Sequence, residues 1–315
     1  MMRTIDFLNQ LYPLGIPSTL SLELRVEIDG LVSRSFHHTL ESAIGAILPI
    51  YHLARNVWFG PGLRRGTTGR DVDIVSIPAL WCDCDAKCFL EPTVEAAYGC
   101  LLMMEPKPSF FVNTGHGVQG YWLLDEPAKG NVAEASSAMR WIKERLSASA
   151  TKPIDSVHNP SRVMRLPNTW NRKQDPAVIS RAYQTTPQSN PTVYSLSDFG
   201  RTAPSAIDNI LSSTQTITPS SETPHHLLDK AESSGLPSWV SQALYKPEFF
   251  YHGDGSRLDW RVVRELLRHL TPGEVETVWI KTPLGNRPGD SKVQIRQDYR
   301  HRTIRKALAS LQEGD

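Results

Sequence analysis

Two aspartates two residues apart, Asp83 and Asp85, close the apolar run Ile74-Val-Ser-Ile-Pro-Ala-Leu-Trp-Cys-Asp-Cys-Asp. Side chains alternate faces along a strand, so both carboxylates emerge on one side about 7 Å apart along the backbone. There they can converge on a hard divalent cation, Mg²⁺ or Mn²⁺. Without an ion the two charges repel. In a two-metal site the same arrangement holds attacking and leaving oxygens about 4 Å apart for in-line displacement at phosphorus. An isolated Asp-x-Asp is a common pattern on exposed strands; its company here gives it weight. Pro153-Ile-Asp155 supplies a third carboxylate, and the segment from Arg162 through Arg165 to Asn171 and Lys173 supplies cations and an amide. Arg162 and Arg165 are three apart, so on a regular strand they face opposite sides and at most one need enter the site. Asn171 and Lys173, two apart, can face the same way and offer a neutral donor and a cation to a triphosphate.

Between the carboxylates lies Thr114-Gly115-His116-Gly117-Val-Gln119, a glycine-bearing turn. Its backbone amides can approach an anion closely, although a plain hairpin turn is the simpler reading. The four cysteines, at 82, 84, 88 and 100, are spaced C-x-C-x3-C with a distant fourth and match no zinc pattern of paired C-x2-C units. Cys82 and Cys84 alternate with the acids, so they should face away from them and pack as small hydrophobes.

The elements that must position these residues follow from periodicity. Period-two alternation predicts a strand over 19–29, helical spacing covers 39–53, and Asn56-Val-Trp-Phe-Gly reads as a short strand leading into a loop with Arg64, Arg65 and Arg70. Those arginines are candidates to grip a nucleic-acid backbone. Residues 73–85 read as a short strand broken at Pro78 and then an apolar strand ending on the acids. Helices are predicted over 93–104 and 133–146, and strands over 109–113 and 120–124. Strands interspersed with helices give an α+β or α/β architecture.

Beyond residue 184 the chain becomes rich in Ser, Thr and Pro, and three helical patterns follow, near Ser256, at Thr271 and over 293–311. The division expected is a catalytic domain over 1–200, a linker over 201–235 and a small all-helical basic domain over 236–315. Thr271-Pro-Gly-Glu274 has the spacing of a reciprocal capping box with proline at the first helical position. The last helix carries Arg296, Arg300 and Arg305 among its cations and is expected to approach phosphates.

Together these segments resemble the archaeo-eukaryotic primase superfamily, in particular the replication-protein primases and primase-polymerases of plasmids, phages and related mobile elements. In that family a strand-end Asp-x-Asp precedes a Ser-Gly-x-Gly-x-His turn and then an Asp followed by an Arg-x-x-Arg-x-Pro-Gly-Thr-x-Asn-x-Lys run. The matching pieces here are Trp81 to Lys87, Thr114 to Trp122, and Asp155 to Lys173, within roughly residues 18–184. The resemblance implies an RNA-recognition-motif-like sheet and template-directed DNA priming or polymerisation. It implies metal ligation and catalysis by Asp83, Asp85 and Asp155, and nucleotide binding by Thr114, Gly115, His116, Gly117, Gln119, Arg162, Arg165, Asn171 and Lys173. Nucleoside triphosphates and a single-stranded DNA template are the implied partners. The family's Gly is Asn168 here, the non-glycine residue that best tolerates a left-handed backbone. Its motif histidine is Gln119, which can donate a hydrogen bond but carries no charge, so a nucleic-acid-binding protein with a weak or inactive site is the alternative, with His116 as the candidate substitute. A metal-dependent nuclease is a third reading, since carboxylate clusters serve many phosphoryl reactions.

The 315 residues are 40% hydrophobic and 21% charged, with 34 basic against 33 acidic side chains, a soluble globular composition with no membrane span or secretory signal. A cytoplasmic location is expected. No Gly-x4-Gly-Lys-Ser/Thr loop occurs, so unwinding would come from a separate helicase.

Overall fold

The computed structural model describes residues 2–173, 175–185, 190–202, 216–250, 255–287 and 297–312. Two compact units divide at residues 203/204. The first mixes helices and sheets. Helix α1 (Thr4–Leu11) precedes β1 (Leu22–Ile28), which turns through Asp29 and Gly30, both at positive φ, into β2 (Leu31–His37). Helix α2 (Leu40–Ile47), capped by the Thr39 hydroxyl, leads to β3 (Asn56–Phe59) and β4 (Leu63–Arg64). Strand β5 (Ile74–Asp85) carries the acids at its end. Pro78 does not break it; the register shifts there between Ile77 and Ala79, so a bulge absorbs the residue that cannot donate.

Helix α3 (Val94–Leu102) follows, then β6 (Phe110–Asn113), β7 (Gly117–Lys129) and α4 (Val132–Ser147). Short strands β8 (Met164–Arg165), β9 (Trp170–Asn171), β10 (Val178–Ile179), β11 (Arg181–Gln184) and β12 (Val193–Tyr194) complete the unit. The larger sheet has six strands in the order β11-β6-β7-β5-β4, with β12 pairing parallel to β7. The second runs β2-β1-β3-β8, and β9-β10 form a separate pair.

Phe7 of α1 fastens the two larger sheets together. Its ring meets Phe59 of β3 edge-on at 5.6 Å, and Phe110 of β6 and Tyr121 of β7 at 5.1 and 5.5 Å. All four side chains are buried, three of them completely aromatic hydrocarbon and Tyr121 with a hydroxyl that needs a partner, which it finds at the site described below. On the other side of the larger sheet Cys82 and Cys84 are buried, with Cys100 of α3 nearby, as the alternation predicts. All four cysteines are free thiols.

The second unit is helical among the described residues: α5 (Pro224–Ser233), α6 (Ser238–Tyr245), α7 (Gly255–Leu266), α8 (Pro272–Lys281) and α9 (Gln297–Gln312). The Thr271/Glu274 capping box forms with both of its hydrogen bonds. Helix α5 lies inside the stretch expected to be linker; Leu227, Leu228 and Ala231 belong to this unit's core, so three apolar residues at i, i+1 and i+4 outweighed a polar local composition. No helix among the described residues is long and apolar enough to cross a membrane.

Two cations expected at a nucleic-acid surface are structural instead. Arg64 is fully buried, 2.5 Å from Glu23 Oε2, and donates to the Thr68 carbonyl at 2.8 Å. Arg300 is buried on α9 and donates to Glu276 at 2.8 Å. In each case a long side chain was drawn inward by a buried carboxylate that requires a counter-charge. Arg65 and Arg70 are exposed, the latter 3.5 Å from Asp73; Arg305 is half-buried, and Arg296 lies outside the described residues. Arg64→Ala should therefore lower unfolding free energy by about 1–3 kcal/mol, because it takes the partner from Glu23 Oε2 while Arg25 and Arg34 stay 2.6 and 2.8 Å from Oε1, whereas Arg65→Ala should change it by less than about 0.5 kcal/mol. Urea titration checks both, and equal effects would contradict the burial argument.

Candidate active site

Strand β5 pairs antiparallel with β7, and the register sets Asp83 opposite Gln119 and Asp85 opposite Gly117. The approach is close. A Cβ on Gly117 would fall 2.3 Å from the Cys84 carbonyl oxygen, so only glycine lets the two strands run on together behind Asp85. The connection from β6 is a three-residue turn. Thr114 donates twice within it, its N–H and its hydroxyl both reaching the Gly117 carbonyl at 2.9 and 3.0 Å. Gly115 takes φ +86 against Val178, and its N–H donates to Asn113 Oδ1. Two of the amides offered for an anion are thus spent on the turn itself, which presents the His116 ring.

Asp155 sits on an irregular segment that crosses the acid-bearing face of the sheet. Ile154 and Val157 are buried on either side of it, and the Trp81 indole donates to the Val157 carbonyl at 2.7 Å. The segment is pinned at both ends, leaving the Asp155 carboxylate exposed between two anchors.

Asp83, Asp85 and Asp155 line one cavity of about 390 Å³ with Thr114, His116, Gln119, Arg162, Arg165, Asn171 and Lys173. Of the residues expected to act on metal or nucleotide, the two turn glycines alone do not line it. Both arginines enter, contrary to the expectation from strand alternation. Arg162 lies in the turn before β8, where the backbone is not extended and the period of two does not hold. Asn56, Trp58 and Val163 also line the cavity, and the sequence reading did not single them out. Asn56 joins Glu27, to which it donates at 2.6 Å, with Arg165, from which it accepts at 2.8 Å. A polar residue opening a strand of Val, Trp and Phe was the available signal.

The electrostatics follow from burial. Asp83 has its pKa pushed up to about 6, first by burial and next by Asp85; Asp155 adds to the rise, while Arg162 and a hydrogen bond from Gln119 oppose it. Gln119 is itself buried, and the Tyr121 hydroxyl donates to its Oε1 at 3.2 Å, which turns the amide N–H groups toward Asp83. Gln119 thus braces a carboxylate. Asp85 pairs with Lys87, whose mostly exposed ammonium is screened by solvent. Burial lowers the Arg165 pKa to about 10, leaving it charged at neutral pH; its guanidinium donates to the Trp170 carbonyl and lies 5.6 Å from the Trp58 ring centre. The His116 pKa is lowered, first by burial and then by Lys173 and Arg165, so the ring is neutral at pH 7. Asn171 is buried and donates to the Thr114 carbonyl at 2.8 Å, tying the cationic segment to the turn. Asn168, at φ 59, adopts the left-handed turn expected of it and donates to the Met2 carbonyl.

Three carboxylates therefore face three cations. Among the described residues no three His, Cys, Asp or Glu side chains are gathered closely enough to hold a metal ion. The donor chemistry nonetheless fits a hard divalent cation, because the oxygens are carboxylates, and Asp85 and Asp155 both add to the rise at Asp83 that burial begins.

No protein-family model matches the chain, and no curated protein is similar to it in sequence. Solved primase structures match it distantly. The AEP domain of the cyanophage S-2L primase-polymerase is 18% identical, matches 62% of this chain and 93% of its own length, and gives a TM-score of 0.43. The primase RepB′ is 13% identical over 99% of each chain at a TM-score of 0.37. Its catalytic domain, solved with initiator DNA, is 12% identical over 60% of this chain and 88% of that one, at 0.38. These likenesses are distant, and the functional weight rests on the cavity.

Because the folded-state pKa of Asp83 lies above its ordinary 3.8, the native state binds that proton more tightly than the unfolded chain does. Stability is then lost as pH rises from about 3.8 through about 6 and the loss is complete above that. In metal-free buffer Asp83→Asn should melt higher than wild type at neutral pH, and the difference should close as pH falls through this window. A variant that melts lower at neutral pH contradicts the assignment.

Proposed function

We propose that the chain is a template-directed nucleotidyltransferase, a DNA primase or primase-polymerase of a plasmid, phage or related mobile-element system. The observation that carries this reading is the convergence of Asp83, Asp85 and Asp155 with Arg162, Arg165 and Lys173 in one cavity. Acids for metal and cations for a triphosphate are the two halves of phosphoryl-transfer chemistry. In this reading the antiparallel β6-β7-β5 core is the RNA-recognition-motif-like sheet, and residues 1–200 form the catalytic domain. The helical unit is the accessory domain that binds template or initiating nucleotide, and a helicase acts separately.

Asp83, Asp85 and Asp155 would hold Mg²⁺ or Mn²⁺, which when bound neutralises charge on the phosphates. The protein's own residues position and compensate. Gln119 orients the Asp83 carboxylate, and Arg162, Arg165 and Lys173 attract the triphosphate into the cavity. Trp58 lies against the Arg165 guanidinium, and the aromatic layer of Phe7, Phe110 and Tyr121 backs the sheet beneath the acids. Water is the competing nucleophile a nuclease would use.

A second reading, nucleic-acid binding with a weak or inactive site, is favoured by one feature: neither Gln119 nor the neutral His116 supplies the positive imidazole that the resemblance calls for. Incubation with single-stranded DNA, a primer, nucleotides and Mn²⁺ separates the readings by yielding extension, binding alone or degradation. Extension is expected, and Asp83→Ala with Asp85→Ala should reduce it by about 10³-fold or more while the circular dichroism spectrum stays unchanged. Undiminished synthesis by that double variant would overturn the proposal. Mn²⁺ should also raise the wild-type melting temperature by mass action and leave that of the double variant unmoved.

A further inference from the structure

Arg64 and Arg300 are committed to buried ion pairs, and a different group of cations stands beside the site. The β9-β10 pair projects a second cavity of about 510 Å³, lined by Arg55, Trp170, Arg172, Lys173, Asp175 and Ala177. Lys173 lines the carboxylate cavity as well, so the two share a wall. Three cations stand against one carboxylate. Arg55 is about half exposed, with only a long 3.6 Å contact to Glu27. Arg172 lies with its guanidinium 5.3 Å from the Trp170 ring centre and donates through Nη2 to the His52 carbonyl at 3.2 Å. Its Nε is buried with no hydrogen-bond partner among the described residues. The Arg172 N–H also donates to the Arg55 carbonyl, which fixes the two arginines side by side.

An excess of positive charge, an under-satisfied guanidinium and a half-buried indole form the combination that single strands use: cations for the backbone and a π-face for a base. A nucleotide's triphosphate is already served by Arg162, Arg165 and Lys173, and it offers nothing to an indole. We propose that the Arg55/Trp170/Arg172 cavity is a binding site for single-stranded nucleic acid that leads the strand past Lys173 to the carboxylates. This rests on the nucleotidyltransferase reading only for the identity of the strand as template or primer; the binding itself needs neither metal nor nucleotide.

The test is fluorescence anisotropy with a labelled single-stranded oligonucleotide in metal-free and nucleotide-free buffer, over a range of salt. Wild type is compared with Arg55→Ala, Arg172→Gln and the double variant, and the nucleotide KM is measured in parallel. Each substitution should weaken binding several-fold and reduce the slope of log K against log salt by about 0.7, the double by about 1.4, with the nucleotide KM unchanged. Arg172 has structural contacts, so Arg55→Ala, which removes an exposed side chain, decides the matter alone if Arg172→Gln lowers the melting temperature. Unchanged affinity and slope in Arg55→Ala would overturn the proposal. A raised nucleotide KM with unchanged oligonucleotide binding would overturn it too, assigning the cavity to the triphosphate. Wild-type protein that binds no oligonucleotide would overturn both this and the nucleic-acid reading, whereas loss of extension with binding intact would touch only the catalytic one.

Discussion

Two carboxylates held at the end of a buried strand repel each other and resist desolvation, and everything around them in this protein answers that difficulty. Strand β5 is apolar for most of its length and ends in Asp83 and Asp85, so the chain that supplies the core also delivers the charge. Asp83 pays for its position with a pKa near 6. Arg162 faces it with opposite charge, Gln119 gives it a hydrogen bond, and Tyr121 orients that amide. Tyr121 in turn packs on Phe7, the ring that fastens the two larger sheets. The site is thus continuous with the core.

The cationic side of the cavity is assembled by different means. Arg165 enters from β8, the edge of the smaller sheet, fixed by Asn56 and by the Trp170 carbonyl. Lys173 follows β9, whose Asn171 is bound to the Thr114 carbonyl of the turn between β6 and β7. A segment remote from the acids in sequence is therefore locked to the turn that adjoins them. Glycine makes the junction feasible at Gly117, where any side chain would collide with β5.

Much of this was legible in the residues. Alternation put the acids on one face and the thiols on the other because a strand has a period of two whatever surrounds it. The capping box at Thr271 and the left-handed turn at Asn168 were local in cause and were read correctly for that reason. What escaped the sequence was long-range. Arg64 looked like its neighbours in an exposed loop, yet Glu23, 41 positions earlier, draws it into the interior. Arg162 entered the cavity because its backbone is irregular, which no periodicity reports. Asn56 and Trp58 acquired their places only when β3 paired with β8. Strand β2 could have been read from the Asp29-Gly30 turn, a strong hairpin signal, although its exposed face carries little hydrophobic pattern.

The central claim is that the three carboxylates form a cradle for a divalent cation beside a triphosphate site. Anomalous diffraction at the manganese edge, from crystals of the protein grown with Mn²⁺ and a non-hydrolysable nucleoside triphosphate, tests it most directly. The account predicts a peak bound by Asp83, Asp85 and Asp155, with the triphosphate contacting Arg162, Arg165 and Lys173. A well-ordered nucleotide in the cavity with no anomalous peak among the three carboxylates would contradict it.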